Sequence, residues 1–154
     1  MTDRLVLTRL LDERPVQIYE RTQMVWLGSF MAPVVVECFY KLPAPPWPKV
    51  QIRARRRLAG LRYRLGLRTG IMLDNEAFNA AFKVTSRDEE FAIMLLSPEL
   101  QAYILDKPTV DWSAGGGSIK LWYRGRLNKK RVDQALERLA GFDALITPEL
   151  LDWA

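Results

Sequence analysis

The sequence predicts an α+β domain in which an antiparallel sheet of five to seven strands carries two or three helices on one face. Short segments rich in β-branched and aromatic residues fill the first half, and helix-start signals followed by apolar stripes dominate the second. The length of 154 residues and the apolar fraction of 49% suit a single globular domain. We divide it into an N-terminal segment (1–15), a strand-rich basic half (16–73) and a half with helices and a hairpin (74–154).

The N-terminal segment fits two structures. The apolar residues at Leu5 and Leu7 are compatible with a strand, whereas Leu7, Leu10 and Leu11 share one face of a helix. We expect a short amphipathic helix here.

Three strands are predicted next, at residues 16–19, 24–30 and 34–40. The longest uncharged run, 22–36, is shorter than the roughly 20 residues that a membrane-spanning helix needs. It contains Gly28 and Pro33, so we interpret it as two strands and a turn. The unbroken Val34–Val36 predicts a strand that is covered on both faces, and Glu37 beyond it would need a partner if it points inward.

A proline-rich connection, Leu42–Pro48, follows the third strand. Its prolines remove backbone donors and hold the chain extended outside the sheet. We expect a rigid corner with Trp47 held against the core. A ligand for a proline-binding module is the alternative interpretation.

Basic residues are concentrated in this half, although the net charge is only +5. No acid lies between Glu37 and Asp74, a stretch that contains nine basic residues. Residues 50–55 and 61–65 alternate apolar with polar side chains, which predicts two strands joined by a loop. If these strands pair, they place four arginines on one solvent-exposed face. The four are Arg53, Arg55, Arg62 and Arg64. Such a face is either simply solvated or a binding site for an anionic partner.

Helix-start signals mark the second half. Asp74 or Asn75 is placed to cap a short helical turn, and Phe82–Val84 looks extended. Ser86–Glu89 has the pattern of a capping box, and Ser97 precedes a proline in the first helical position. We therefore expect two further helices after these signals.

The C-terminal part is predicted to be a hairpin followed by a long helix. Residues 110–112 and 119–123 read as its strands, joined by the glycine-rich 113–118. Asn128 is placed to cap the helix and Gly141 to stop it.

A second basic block, which also lacks acids, surrounds the start of that helix. It consists of Arg124, Arg126, Lys129, Lys130 and Arg131. Cations in the first helical turn are unfavourable, because the amino end of a helix already carries partial positive charge. The block is therefore a second candidate anion site, with splayed, solvated side chains as the alternative.

Catalytic chemistry is not expected. The chain has no histidine, and its single cysteine, Cys38, lies in a strand-like segment and is interpreted as a buried structural thiol. The carboxylates cluster at helix starts, which explains their positions without general acid–base catalysis. We expect neither a cofactor nor a metal, and the charged N-terminal region gives no sign of a secretory signal. A cytoplasmic location is therefore predicted, or the host cytoplasm for a phage protein.

The stretch from Glu76 to Leu105 resembles a known sequence pattern, and the resemblance extends from about Val34 to Leu150. It matches Glu-x-Phe-x3-Phe-x-Val-x3-Asp-x3-Ala-x2-Leu-Leu-x-Pro, the core motif of an uncharacterised bacterial domain family found in actinobacteria and often preceded by membrane helices. The matching residues are Glu76, Phe78, Phe82, Val84, Asp88, Ala92, Leu95, Leu96 and Pro98. The resemblance implies a shared fold and no active site. A short, arginine-rich, stand-alone copy would suit a phage of a GC-rich host.

Three functions are compatible with these features. The first is a non-enzymatic interaction protein that binds a protein partner or an anionic surface through both basic sets. The second is nucleic-acid binding by the same residues, with nearby aromatics stacking on bases. Those aromatics are Trp47, Tyr63, Trp122 and Tyr123. Against this second function, the strand alternation turns these rings inward, and no known nucleic-acid motif is present. The third is a phage structural or assembly component, which would form oligomers.

Overall fold

In the computed structural model, which describes residues 1–153 except for the side chain of Arg57, seven strands form one antiparallel sheet. The strands are β1 (Thr2–Leu11), β2 (Arg14–Leu27), β3 (Phe30–Pro43), β4 (Val50–Ala54), β5 (Phe82–Ser86), β6 (Asp111–Gly115) and β7 (Ser118–Arg124). Their order across the sheet is β1-β2-β3-β7-β6-β4-β5.

Five helices accompany the sheet within the described residues. They are α1 (Arg57–Arg64), α2 (Glu76–Ala81), α3 (Glu89–Leu95), α4 (Pro98–Leu105) and α5 (Lys129–Ala144), and a short 3-10 helix covers Pro148–Leu150. The α+β class is thus confirmed, with five helices where two or three were predicted. Within residues 1–153, none of the helices combines the length and hydropathy that crossing a bilayer requires.

The core lies on one face of the sheet. A continuous row of register partners crosses six strands there: Ile18, Tyr40, Leu121, Trp112, Ile52 and Val84. All six side chains are buried, because helices α2 to α5 cover this row with apolar residues. The main helical contributors are Phe78, Phe91, Leu95, Leu100, Ile104, Leu139 and Phe142. Side chains alternate along each strand, so the neighbouring residues point to the opposite face.

The N-terminal prediction of a helix is wrong, because Thr2–Leu11 is a strand. It pairs with β2 through a two-residue turn in which Asp12 and Glu13 have positive φ angles of 47° and 66°. The immediately following strand provides partners for the backbone groups of β1, and this outweighs a weak helical pattern. The strand predicted at 16–19 and residues 24–27 of the strand predicted at 24–30 belong to the single strand β2, whereas residues 28–29 form a turn and Phe30 begins β3.

The uncharged run is confirmed as two strands and a turn, with the turn at Gly28 and Ser29. Val34–Val36 are half-buried and lie outside the core, whereas Cys38, Phe39 and Tyr40 of the same strand are buried on its two faces, so the expected cover on both faces forms only at 38–40. Glu37 has a partner, because its carboxylate accepts a 3.0 Å hydrogen bond from Arg21.

The strand predicted at 61–65 is a helix instead. Residues Arg57–Arg64 form α1, and of the predicted inward residues only Tyr63 is buried, whereas Leu61 and Leu65 are exposed. A five-residue segment fits both periodicities, and arginine, leucine and alanine favour a helix when no neighbouring strand is available. Val50–Ala54, in contrast, is confirmed as strand β4.

The proline-rich connection forms the expected corner. Trp47 is buried, its ring packs against Phe91, and its indole nitrogen donates a 2.6 Å hydrogen bond to the carbonyl of Leu150. This contact fixes the corner to the C-terminal 3-10 helix.

The predicted helix caps at Asn75, Ser97 and Asn128 are confirmed, since each side chain accepts a backbone N–H of the first turn. The predicted capping box is displaced. Ser86 ends β5 and donates to the carbonyl of Lys49, whereas Asp88 caps α3.

The predicted helix stop at Gly141 is also wrong, because α5 continues to Ala144. Gly141 lies where the ring of Tyr103 packs on α5, so its missing side chain serves a close approach between helices.

Candidate functional site

The sheet face opposite the core, which we call the open face, carries a polar row. Its register partners are Gln17, Lys41, Lys120, Ser113, Gln51 and Thr85. All are at least partly exposed. Helices α2 to α5 direct their buried residues to the other face, so these polar side chains meet water.

A row of aromatic residues runs beside the polar row. Tyr19 stacks on Phe39 with ring centroids 4.8 Å apart, and Phe39 packs on Trp122 at 4.5 Å. The guanidinium of Arg21 lies 4.9 Å from the centroid of the Trp122 ring, and the Lys120 ammonium lies 5.6 Å from that of Phe39. Phe39 is therefore only 5% exposed although it lies on the open face. Neighbouring rings and cations therefore cover the ring faces of these aromatic residues.

A cleft of about 260 Å³ opens next to the aromatic row, and we call it the cationic cleft. Its basic side chains are Arg21, Lys49, Arg53, Arg56 and Lys120. Arg21 is bound to Asp3 and Glu37. In the part of the chain that the structure describes, Lys49, Arg53, Arg56 and Lys120 have no carboxylate within 4.0 Å.

The two acids of the cleft already have partners. Glu37 accepts from Arg21, and a carboxylate oxygen of Asp111 accepts a 2.8 Å hydrogen bond from the backbone N–H of Ala54. These two carboxylates hold strand ends in place. Among the described residues they therefore do not neutralise Lys49, Arg53, Arg56 or Lys120.

Lys120, which lines the cleft, lies directly opposite a second lysine on the neighbouring strand. Lys41 on β3 and Lys120 on β7 are register partners on the same face. Like charges in this position destabilise a sheet. Burial, reinforced by Lys41, Lys49 and Arg21, lowers the pKa of Lys120 below its ordinary value. The site therefore holds positive charge that a bound anion would compensate.

Of the predicted sheet-face arginines, only Arg53 lies on the open face and lines the cleft. Arg62 and Arg64 lie on α1 and are exposed. The predicted four-arginine face depended on a strand at 61–65, and it does not form because that segment is helical.

Arg55 and Arg131 bind the protein's own backbone. Arg55 donates to the carbonyls of Asn79 and Thr69 at 2.9 and 3.0 Å. Arg131 donates to the carbonyls of Arg124 and Arg126 at 2.7 and 3.2 Å. Both arginines fix loops, so the structure gives them a structural role.

The four remaining predicted residues form a separate group at the end of β7 and the start of α5, which we call the basic collar. It consists of Arg124, Arg126, Lys129 and Lys130, all exposed. Among the described residues, no carboxylate lies within 4.0 Å of any of them.

Sequence reasoning missed Lys41 and Lys120 as site residues. The alternation of residues 119–122 places Lys120 and Trp122 on the face opposite Ile119 and Leu121. This pattern in the sequence could have predicted that Lys120 lies on the open face. The expectation that Trp122 turns inward is wrong for the same reason, whereas Tyr123 lies on the core side.

Cys38 is fully buried on the core face, as expected for a structural thiol. Burial raises the pKa of its thiol above the ordinary value, and the Tyr40 hydroxyl opposes this only in part.

Comparisons of the chain with known protein families, with curated proteins and with solved structures find no match.

Proposed function

We propose that this protein is a non-enzymatic interaction protein whose open face binds an acidic segment of a protein partner. The observation that carries the proposal is the opposed pair Lys41 and Lys120, with Lys49 close by. An arrangement that costs stability in the free protein is compensated when carboxylates bind between the two ammonium groups.

The aromatic row favours carboxylates over nucleobases. A base stacks on the face of a ring, but the faces of Phe39 and Trp122 are covered by each other, Arg21 and Lys120. An extended acidic segment needs no free ring face, and the ammonium groups of Lys41 and Lys120 would bind its carboxylates.

The test uses poly-glutamate as the probe and fluorescence anisotropy as the measurement. The double variant Lys41→Gln/Lys120→Gln removes the opposed pair. Its matched control, Arg62→Gln/Arg64→Gln, removes the same charge from α1. We expect the cleft variant to lose at least about tenfold in affinity, equivalent to about 1.4 kcal/mol, and the control to lose less than about twofold. Equal losses would mean unspecific attraction and would contradict the proposal.

Single-stranded nucleic acid is the second candidate, because aromatic rings and cations occur side by side on this face. Oligothymidine is the probe in a parallel titration. Tighter binding than poly-glutamate, with affinity falling by orders of magnitude between about 50 and 200 mM salt, would favour this candidate over the first.

A further inference from the structure

The β2–β3 hairpin projects beyond the rest of the sheet. Pairing of β2 with β3 continues to Leu27 and Phe30, whereas β1 leaves β2 at Thr22 and β7 leaves β3 at Glu37. Residues 23–34 therefore form a two-stranded ribbon that, within residues 1–153, contributes no side chain to the core. We call this segment the ribbon.

Large apolar side chains are exposed at the tip of the ribbon. Trp26 and Phe30 are 66% and 58% exposed, and Met24, Leu27 and Met31 are exposed as well. No charged residue occurs between Arg21 and Glu37. Isolated exposed apolar residues are ordinary, but a contiguous patch of this kind marks an interaction site.

Both faces of the ribbon are apolar. Trp26 is opposite Met31 on one face, and Leu27 is opposite Phe30 on the other. A ribbon that docks on a protein surface needs only one apolar face and keeps the other polar. Two apolar faces suit a medium that surrounds the tip on all sides, as the lipid of a membrane interface does.

The basic collar lies at the foot of the ribbon. β7 runs antiparallel to β3, so Arg124 is the register partner of Glu37, and the N–H of Gly125 donates a 2.9 Å hydrogen bond to the carbonyl of Val36. Arg126 and Lys129 follow directly, and the hydrogen bonds from Arg131 to the loop fix their backbone. No acid occurs between Asp111 and Asp133. The nearby carboxylates of Asp3 and Glu37 are already bound to Arg21.

We propose that the ribbon tip inserts into the interface of a bilayer containing anionic lipids while the basic collar binds their headgroups. Apolar burial and attraction to anionic lipid are the two components of interfacial binding. At about 3.4 Å per residue, Phe30 lies about 24 Å along β3 from Glu37, the register partner of Arg124. The ribbon therefore lies obliquely on the membrane, so that the last two or three residues of each strand, including Trp26 and Phe30, reach a depth of about 5–10 Å while the collar stays near the headgroups. This proposal does not depend on the cationic cleft.

The experiment measures sedimentation of the full chain with vesicles of phosphatidylcholine, with and without phosphatidylserine. We expect binding only when phosphatidylserine is present. Trp26→Ser/Phe30→Ser should lower the affinity by at least about tenfold. Because each cation near an anionic surface contributes about fivefold, Arg126→Gln/Lys129→Gln/Lys130→Gln should lower it by about a hundredfold. All five side chains are exposed, so the variants should keep the wild-type circular dichroism spectrum.

The matched control is Leu65→Ser/Leu67→Ser, which removes two similarly exposed apolar residues (71% and 62%) outside the ribbon. It should bind like the wild type. Tryptophan fluorescence should shift to shorter wavelength on vesicle binding, and Trp26→Phe should remove most of the shift. The proposal is overturned if the wild type does not bind either vesicle, or if the serine variant of the tip binds equally well. A wild type that dimerises through its tip in light scattering without binding vesicles would likewise overturn it.

Discussion

The ring of Tyr103 on α4 lies directly over Gly141 on α5, so close that a Cβ atom at position 141 would overlap the ring and its hydroxyl. The hydroxyl donates a 3.1 Å hydrogen bond to the carbonyl of Arg138, one turn earlier in α5. This contact joins the two helices at a point where only glycine leaves enough room.

Gly141→Ala should therefore destabilise the protein. Helix propensity alone would favour alanine by about 1 kcal/mol, but overpacking against a ring fixed by a hydrogen bond costs about 1–3 kcal/mol or more. We expect a net loss of up to about 2 kcal/mol in the free energy of unfolding, measured by urea denaturation.

Gly60 provides the control, because it lies in α1 with open space where a Cβ would be. Gly60→Ala should raise the free energy of unfolding by about 0.5–1 kcal/mol. A Gly141→Ala variant as stable as Gly60→Ala would refute the assigned contact.

The β6–β7 hairpin contains two glycines with opposite expected sensitivities. At Gly115, where φ is +120°, a Cβ would lie 2.5 Å from the Cα of Lys49 and 2.6 Å from the carbonyl oxygen of Pro48. Gly115→Ala should therefore cost about 3 kcal/mol or more. Gly116 has φ of +63° and open space around it, so Gly116→Asn should cost less than about 1 kcal/mol. Thermal denaturation of both variants tests this, and equal losses would contradict it.

Trp47→Phe should destabilise the proline-rich corner. Phenylalanine keeps most of the buried ring but leaves the carbonyl of Leu150 without its donor, a loss of about 1–3 kcal/mol. Trp26→Phe is the matched control and should change the free energy of unfolding by less than about 0.5 kcal/mol, because Trp26 is exposed. If both variants unfold at the same urea concentration, the indole hydrogen bond contributes nothing.

Lys120→Met should stabilise the free protein at neutral pH. The pKa of Lys120 is lowered in the fold, by burial first and then by Lys41, Lys49 and Arg21, so its protonated form opposes folding. The gain should be below about 1 kcal/mol, because the group is partly solvated and its charge is screened. As the pH rises through the lowered pKa towards 10.5, the wild type regains this free energy and the difference between the two proteins shrinks.

Urea denaturation of both proteins at pH 7 and near pH 10 measures this difference. Titrating groups that do not interact with Lys120 are common to the two chains, so their contributions to the difference cancel. A variant that is less stable than the wild type at pH 7 would mean that the Lys120 ammonium is stabilising.

Local signals predicted much of the fold. Asn75, Ser97 and Asn128 cap their helices because a short polar side chain before an apolar stripe satisfies the first backbone amides. The wrong helix at 2–11 and the wrong strand at 61–65 were predicted where a short segment fits two periodicities. Residues 61–65 contain one buried side chain, Tyr63, and five residues do not separate a period of 2 from one of 3.6.

The candidate site was harder to predict because it depends on register. Lys41 and Lys120 are far apart in the sequence, and only the pairing of β3 with β7 brings them together. Alternation within each strand gives the face of each lysine but says nothing of which residue is opposite. The position of Arg53 was predicted correctly because the alternation within β4 indicates the face on which each residue lies. The predicted position of Arg62 was wrong because the strand to which it was assigned is the helix α1.

The sheet order also affects how the chain folds. β1, β2 and β3 follow one another along the sequence and can form a meander early, since local contacts form fastest. The other edge of β3 stays bare until β7, residues 118–124, has been brought back to it. That edge presents unpaired backbone N–H and C=O groups beside the apolar side chains of Cys38, Tyr40 and Leu42, and such an unprotected edge is a template for aggregation. The folding chain is thus most exposed to self-association before β7 docks on β3. Pro43 has no N–H to donate and therefore limits the length of the exposed edge.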